Sequence, residues 1–260
     1  MTNILAIANK ELRSYFNSPI AYAVIGFFAF AFGFMFLVYL YGFMERSTEM
    51  SMNPAAGPVN VNQILVRPLV MQLGIIWLFI LPMVTMRTYS EEKRSGTIEL
   101  LLTAPLTDAQ IILGKFLGAF GLYAAMLLAT VPAFAVLFAY GNPDWAPLLS
   151  TYLGLLLFGA SFIAIGLCIS SLTQNQIVAG AATFMLLLML LLVGWLRDFT
   201  TSPVLIEMIS ALAIYEHLDD FTKGVVDTRH IAYYVSVVTL GLFLSTLRAV
   251  RNRPKVTMLT

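Results

Sequence analysis

Six long apolar runs are the feature that most restricts what this sequence can fold into. Each run is close to or longer than the about 20 residues that a helix needs to cross the hydrocarbon core of a bilayer. Only 11% of the residues are charged, against roughly 25% in soluble domains. We therefore predict an all-α membrane protein, a single transmembrane domain of residues 1–260 with six transmembrane helices. The predicted spans are 20–42, 68–86, 111–140, 147–172, 177–196 and 230–247.

Prolines and polar residues predict irregularities within and between these spans. The stretch from Glu45 to Arg67 is polar and rich in helix breakers, so we expect a loop there. Pro82 predicts a bend in the last turn of the second span, and Pro132 predicts a kink in the long third one. Thr107 and Asp108 are N-cap candidates for the helix that leads into that third span.

The first residues of the chain predict a helix that lies on the membrane surface. Apolar residues recur at helical spacing over 2–17, and polar and basic residues mostly take the other side. The alternative is a frayed N-terminal tail. The apolar run that follows, from Ile20 to Phe43, is longer than the about 7–15 residues of a signal-peptide core, so we interpret it as a retained span.

Lysine and arginine are divided unequally between the two sets of connecting segments. Ten of the 15 fall on the side that contains both ends of the chain and the segment 87–108, and five fall on the other. Because cytoplasmic loops carry the excess of Lys and Arg, we expect both termini and this segment in the cytoplasm, with the protein in the inner (plasma) membrane.

The segment 87–108 concentrates charge between two spans. We predict a short helix from Glu91 to Leu102 that Pro105 stops. Charges of both signs favour a polar protein interface over an anionic lipid surface. The alternative is an ordinary solvated loop with helix-stabilising pairs. The segment carries six charged residues within thirteen positions: Arg87, Glu91, Glu92, Lys93, Arg94 and Glu99.

Several kinds of chemistry are not supported by the sequence. Gly114-Lys115 is followed by Phe116 rather than Ser or Thr, and Ala109 stands where a phosphate-binding loop needs glycine. No titratable residue lies at the middle of a predicted span, which weighs against a proton- or sodium-coupled carrier. The net charge of +1 gives no basic surplus for nucleic acid. We expect no catalytic residue, no metal and no cofactor bound by this chain, so its energy would come from a partner.

Residues 197–229 are too apolar for a free loop, but the apolar runs within them are too short to span the membrane. They predict a re-entrant or interfacial pair of short helices at the outer surface, suited to a gate. A metal site in 216–220 is a weaker alternative. The candidate gate residues are Glu207, Glu216, His217 and Asp219.

Small residues inside the spans are interpreted as packing contacts. Gly114 and Gly118 form a Gly-x-x-x-Gly pair that would allow another helix to approach closely. Ser161, Ser170, Ser171 and Thr183 are expected to provide packing contacts and helix–helix hydrogen bonds rather than a substrate site.

Five stretches together resemble a known family. The run YSEEKRSGTIELLLTAPLT at 89–107 resembles the cytoplasmic loop of ABC-2 type exporter permeases, whose pattern is E-E-(K/R)-x-x-G-T-x-E-x-L-L-x-x-P before a helix that begins with Gly-Lys. Residues 114–116 supply that Gly-Lys, 8–12 resemble the A-x-K-E-L opening, and 170–176 resemble the turn between spans four and five. Residues 221–227 are similar to the gliding-motility (GldF-like) branch.

The resemblance implies a six-span permease subunit with several partners. These are a second permease copy or a related membrane subunit, and a dimer of ABC ATPase subunits that bind ATP and Mg. Members of the gliding branch are often accompanied by a partner with a large extracytoplasmic domain. The family's coupling helix corresponds to 87–108, and its N-terminal helix also contacts the ATPase. The implied interface residues are Glu91, Glu92, Lys93, Arg94, Gly96, Thr97 and Glu99, with Lys10, Glu11 and Arg13.

The predicted function is therefore a permease subunit that couples ATP hydrolysis by its partners to substrate export or conformational work. The alternative is a non-transporting, ATP-responsive membrane scaffold that transmits force to an extracytoplasmic partner. A continuous lumen between paired permeases would favour transport, and a closed interface would favour force transmission.

Overall fold

The computed structural model describes residues 2–52, 60–96, 106–140 and 143–251. These residues form α-helices with two short variants, a π-helical turn at Asn62–Val66 and a 3-10 helix at Gly194–Phe199, and contain no strand. The α-helices are α1 (Thr2–Phe16), α2 (Pro19–Met52), α3 (Arg67–Thr85), α4 (Arg87–Ser95), α5 (Asp108–Leu128), α6 (Val131–Tyr140), α7 (Trp145–Ser170), α8 (Gln176–Val193), α9 (Pro203–Leu212), α10 (Glu216–Thr222) and α11 (Thr228–Arg251).

Six helical stretches are long and apolar enough to cross a membrane. The predicted all-α, six-span architecture is therefore confirmed, although the helix ends differ from the predicted ones. The stretches are Pro19–Met52, Asn62–Ser95, Asp108–Tyr140, Trp145–Ser170, Gln176–Arg197 and Thr228–Leu247.

The loop predicted from Glu45 to Arg67 is wrong at both ends. The helix α2 continues to Met52, since the chain between has neither glycine nor proline. The hydroxyls of Thr48 and Ser51 each donate to the carbonyl four residues earlier, at 2.9 and 3.0 Å, so these polar residues fit the helix. Before α3, Asn62–Val66 forms the π-helical turn. Polar composition alone does not end a helix; a breaker does.

The charged helix also differs from its prediction. Helix α4 begins at Arg87 and ends at Ser95, where Gly96 takes a left-handed conformation with φ +73°. Glycine adopts this conformation without a steric penalty and commonly ends helices. The prediction of one continuous helix through Gly96 is therefore wrong, and its predicted continuation at 97–102 lies outside the described residues. Pro105, the predicted stop, lies outside the described residues.

Two local predictions for the third span are confirmed. Thr107 caps α5: its hydroxyl accepts from the Gln110 N–H at 3.3 Å, and the Gln110 side chain accepts from the Thr107 N–H at 3.2 Å. The helix is interrupted between Leu128 and Val131, just before Pro132. A proline has no N–H for the carbonyl four residues earlier, so the break falls where the sequence requires it.

Helix α7 is the centre of the bundle. Of its 18 most apolar consecutive residues, 72% are buried, against 17% in the corresponding parts of α2 and α11. The exposed apolar side chains of α2 and α11 suit a lipid environment. The core beside α7 is aromatic: the Trp77 ring lies 5.0 Å from that of Tyr123, 5.9 Å from Phe28 and 6.3 Å from Phe158. These rings fill the space between α2, α3, α5 and α7 and hold the helices that carry the sites below.

Candidate functional sites at the two ends of the bundle

Helix α1 packs against the glycine-rich face of α5. A Cβ added at Gly114 would lie 2.6 Å from the Cβ of Ile7, and one added at Gly118 would lie 2.5 Å from the Cβ of Glu11. Both contacts are too short for any side chain larger than glycine. The Gly-x-x-x-Gly pair therefore permits a close helix approach as predicted, and its partner is α1.

This contact places Lys115 in the interior between three helices. The side chain is 1% exposed, and its ammonium lies 3.0 Å from the Glu11 carboxylate of α1 and 2.7 Å from the Glu92 carboxylate of α4. It also donates to the carbonyl of Thr88 at 3.0 Å, so all three N–H donors are satisfied. The ammonium lies 5.1 Å from the centre of the Tyr89 ring. One side chain of α5 thus ties α1 and α4 together.

The buried cluster of Lys115, Glu11 and Glu92, which we call the joint, is electrostatically costly to open. Two carboxylates and one ammonium leave the cluster with a formal charge of −1, and the Glu11 and Glu92 side chains are only 14% and 18% exposed. Separating a buried pair leaves a charge with neither water nor counterion. The Oε2 atom of Glu92 is buried and has no hydrogen-bond partner among the described residues. The cluster therefore favours the arrangement in which α1, α4 and α5 stay together.

A second link holds α4 to the central helix. The Ser170 hydroxyl, at the end of α7, accepts from the backbone N–H groups of Tyr89 at 3.2 Å and Ser90 at 3.3 Å. It also donates to the carbonyl of Met86 at 3.0 Å, and Met86 is the residue that connects α3 to α4. The Lys93 ammonium donates to the carbonyl of Ser171. The interpretation of Ser170 as a helix–helix contact is confirmed.

Tyr15 provides a third link at the same end. Its hydroxyl lies 3.3 Å from the carbonyl of Val84 and 3.3 Å from the hydroxyl of Thr88. Burial raises the pKa of Tyr15 to about 12, so the phenol stays protonated. A cavity of about 580 Å³ opens beside it, and its lining includes Lys10 and Arg87.

The residues implied for the ATPase interface fall into distinct groups in the structure. Glu11 and Glu92 turn inward to Lys115, and Lys93 is half-buried. Thr97 and Glu99 lie outside the described residues. The exposed members are Lys10, Arg13, Glu91, Arg94 and Gly96.

The sequence did not reveal Lys115 as a buried link between helices; there it is the lysine of the Gly-Lys pair and one cation near a span end. A signal was available in the residues beside it. The lysine lies in an apolar helix, next to one of two glycines spaced to admit another helix, and the amphipathic first helix carries Glu11. A lysine at such a contact needs a counterion.

The opposite end of the bundle carries a cluster of ion pairs around α10. Arg67, at the start of α3, donates Nε and Nη2 to the two carboxylate oxygens of Asp219 at 2.8 and 2.9 Å. The Lys223 ammonium lies 2.7 Å from Asp219 and 3.0 Å from Asp220. Hydrogen bonds to these two carboxylates raise the pKa of Lys223. Helix α10 is therefore attached to the first turn of α3.

Two histidines extend this cluster. The Nδ1 atoms of His217 and His230 are 2.7 Å apart, and His230 Nε2 lies 2.9 Å from the Asp220 carboxylate. Burial lowers the pKa of His217, and His230 lowers it further. Burial acts to raise the pKa of Asp220, but the hydrogen bonds from Lys223 and His230 outweigh it, so this pKa is lowered.

A cavity of about 910 Å³ lies beside this cluster. Three of the four predicted gate residues, Glu216, His217 and Asp219, line it, whereas Glu207 is exposed on α9 and does not. Within the described residues, no group of three or more His, Cys, Asp or Glu side chains is arranged to hold a metal. The sequence did not indicate that Arg67 joins the cavity, because its partner is 152 residues away.

The family comparison covers the α4 end and part of the α10 end. The family model described as "ABC-2 family transporter protein" matches residues 5–202. The chain is also 33% identical over 144 residues to "Probable multidrug ABC transporter permease YbhR" of Escherichia coli (strain K12), and equally to the protein of that name in Escherichia coli O157:H7. This alignment covers 55% of the chain and 38% of each relative. The family match includes α1, α4 and Lys115 and ends before α9.

Proposed function

This chain belongs to the ABC-2 family of transporter proteins, and we propose that it is the transmembrane permease subunit of an ATP-binding-cassette exporter. Partner ATPase subunits would bind ATP and Mg and hydrolyse the ATP, and the permease would convert their movement into export. The names of the two E. coli relatives support the assignment to export. In this proposal the chain has no nucleotide site of its own.

The observation that carries the proposal is the buried joint at Lys115. A partner that moves α4 would pull on Glu92, and Lys115 would pass the movement to α5 and, through Glu11, to α1. The Ser170 hydrogen bonds would pass it to α7, the centre of the bundle. Because opening the joint would leave buried charges unpaired, moving the helices together costs less free energy than separating them.

The exposed side chains around this joint suit a protein partner. Lys10, Arg13, Glu91 and Arg94 present charges of both signs on neighbouring helices, which favours electrostatic complementarity with another polar surface. We propose that a dimer of ABC ATPase subunits docks here, on the cytoplasmic side of the inner membrane, and that both chain termini lie on this side. A second permease copy or a related membrane subunit would complete the transporter.

The opposite end would then face outward. We propose that α9 and α10 form interfacial or re-entrant elements at the outer mouth and act as a gate, with Glu216, His217 and Asp219 beside the cavity. The similarity of 221–227 to the gliding-motility (GldF-like) branch supports a further partner with an extracytoplasmic domain. That stretch lies beyond the family match, within α10 and the residues after it.

The packed aromatic core favours a second candidate function. The rings of Trp77, Tyr123 and Phe158 occupy the centre of the bundle, so a translocation path would have to run between two subunits. The same rigid packing would serve a non-transporting scaffold that transmits force to an extracytoplasmic partner. ATP-dependent movement of a fluorescent amphipath panel across liposomes that contain the purified complex would support the exporter, and ATP hydrolysis without such movement would support the scaffold.

The docking proposal is tested by charge reversal on the exposed face of α4. The Arg94→Glu variant removes no buried contact, so it should keep its thermal stability but lose most co-purification with the ATPase and most ATPase stimulation, by about tenfold. Arg46→Glu is the matched control, since Arg46 is exposed near the far end of α2. Unchanged co-purification and stimulation in Arg94→Glu would show that the ATPase docks elsewhere.

A further inference from the structure

The cavity at the α10 end has one apolar wall and one charged rim. Met71, Ile75 and Leu191 line it on the side of the spans, and Trp195, which is 65% exposed, stands beside them. Ile75 lies two helical turns beyond the rim residue Arg67, which is roughly 12 Å along α3 at 1.5 Å per residue. The cavity therefore extends from charged groups into the apolar part of the bundle.

The rim presents its positive charges outward. Arg67 is 43% exposed and its partner Asp219 is 25% exposed. Arg197 is 52% exposed and Glu216 is 28% exposed. Lys223 is likewise more exposed than its partners: its side chain is 44% exposed, against 25% for Asp219 and 38% for Asp220. The cluster is nearly balanced in charge, but a molecule that approaches from solvent meets the cations first.

Two further features favour a negative ligand. Arg197 makes a single ion pair among the described residues, at 3.4 Å, which leaves a planar donor group at the rim. An imidazole ring carries no negative charge, so His217 and His230 add no repulsion toward an anion. Phosphate and carboxylate groups form their strongest hydrogen bonds with such charged donors.

We propose that this cavity binds an amphipath with an anionic headgroup, a phosphate or a carboxylate, held at the rim by Arg67 and Arg197 and with its apolar tail beside Met71 and Ile75. The volume of about 910 Å³ lies within the roughly 300–1,000 Å³ of small-molecule sites. The binding goes beyond the proposed function because it requires neither ATP nor a partner subunit. The ligand reaches the site either as a bilayer lipid or as a water-soluble amphipath.

Trp195 gives a direct assay. The Trp145→Phe background leaves Trp195 as the exposed tryptophan, since Trp77 is fully buried. With the purified chain in an uncharged maltoside detergent, bromine-labelled stearate should quench Trp195 saturably. Half-saturation should come at about tenfold lower concentration than with the bromine-labelled monoglyceride, which has the same tail and no charge.

Two variants and one control locate the ligand. Arg197→Gln should raise the half-saturating stearate concentration by about tenfold. Ile75→Phe should reduce quenching by both probes, because the larger ring occupies the space of the tail. Arg46→Gln removes a positive charge of α2 that does not line the cavity and should leave quenching unchanged.

Vesicles distinguish the two sources of the ligand. Quenching by bromine-labelled phosphatidylglycerol in vesicles, without quenching by stearate in detergent, would support a bilayer lipid; quenching by both would support a site that also accepts soluble amphipaths. If charged and uncharged probes quench equally and Arg197→Gln changes nothing, the proposal is overturned. Since no ATPase is present, that result would leave the proposed exporter function standing.

Discussion

The two ends of the bundle use similar charged side chains in opposite surroundings. At the α4 end, Lys115 is 1% exposed and all its donors are satisfied by partners on α1 and α4. At the α10 end, Arg67, Arg197 and Lys223 are 43%, 52% and 44% exposed and border a cavity. The first arrangement resists separation, whereas the second can exchange partners with a ligand. In our two proposals, burial rather than the number of ion pairs distinguishes the mechanical joint from the binding rim.

The energies of the two kinds of pair explain this difference. Exposed ion pairs contribute about 0–1 kcal/mol, since water and salt screen them and compete for the same donors. Removing one partner of a buried pair costs about 3–5 kcal/mol, because the other charge remains buried. A ligand can therefore displace ion pairs at the α10 rim at little cost in free energy. Detaching α4 from Lys115 costs more, because that ion pair is buried.

The largest predicted effect comes from Lys115→Met. The substitution keeps most of the volume but leaves Glu11 and Glu92 without their counterion, so the free energy of unfolding should fall by about 3–5 kcal/mol. Denaturant unfolding in detergent micelles measures the change. Lys10→Met removes an exposed lysine of α1 and should stay within about 0.5 kcal/mol. A Lys115→Met protein as stable as the Lys10→Met control would show that the cluster is not a joint.

A triple variant separates stability from coupling. Lys115→Met combined with Glu11→Gln and Glu92→Gln leaves no buried charge, and it should recover much of the lost stability. If the joint transmits movement, the triple variant should assemble with the ATPase but show reduced ATPase-coupled activity. Full coupling in the triple variant would mean that packing alone connects the helices.

The sequence predicted several local features well. Apolar run length predicted the six spans, Thr107 predicted the cap of α5, and Gly114 with Gly118 predicted a close helix contact. Each of these depends on residues that are close together in the chain, within one apolar run, one helix cap or one four-residue repeat. The error at α2 is also local, because residues 45–52, which contain neither glycine nor proline, were assigned to the same loop as the helix breakers that follow them.

The sites depend on long-range pairing, which a single sequence does not reveal. Lys115 meets Glu11 from 104 residues away, and Arg67 meets Asp219 from 152 residues away. The glycines beside Lys115 indicate that it needs a counterion, but the pattern around neither residue indicates which distant residue is its partner. The burial of Lys115 also depends on the glycines that bring α1 close. The composition of the α4 end was predictable, but its division into buried and exposed charges was not.

The next largest effect concerns the contact that buries the joint. Gly118→Leu would place its Cβ 2.5 Å from the Cβ of Glu11, so α1 must shift from α5. We expect a loss of about 1–3 kcal/mol in the free energy of unfolding, with faster proteolysis of α1. Gly33→Leu is the matched control, since nothing lies within 4 Å of a Cβ there. Equal behaviour of the two variants would contradict the packing of α1 on α5.

The smallest predicted effect is a pH dependence confined to the α10 end. Because burial lowers the pKa of His217 from its ordinary value of 6.5, the unfolded chain takes up a proton before the folded one as the pH falls. The free energy of unfolding should therefore be unaffected by His217 above pH 6.5 and decrease below it, until the pH reaches the folded pKa. Asp220 acts at lower pH, since its stabilisation is lost only as the pH falls below 3.8.

Unfolding measured between about pH 5 and 7 isolates the histidine contribution. His217→Gln should flatten the curve in this interval, although His230, Glu216 and Asp220 also face the ring and set the size of the effect. The triple variant of Lys115, Glu11 and Glu92 should keep the same pH dependence as the unmodified chain, because it leaves no titratable group in that cluster and the described residues of the α4 end include no histidine. If His217→Gln keeps the slope and the triple variant removes it, the electrostatic contrast between the two ends is assigned to the wrong groups.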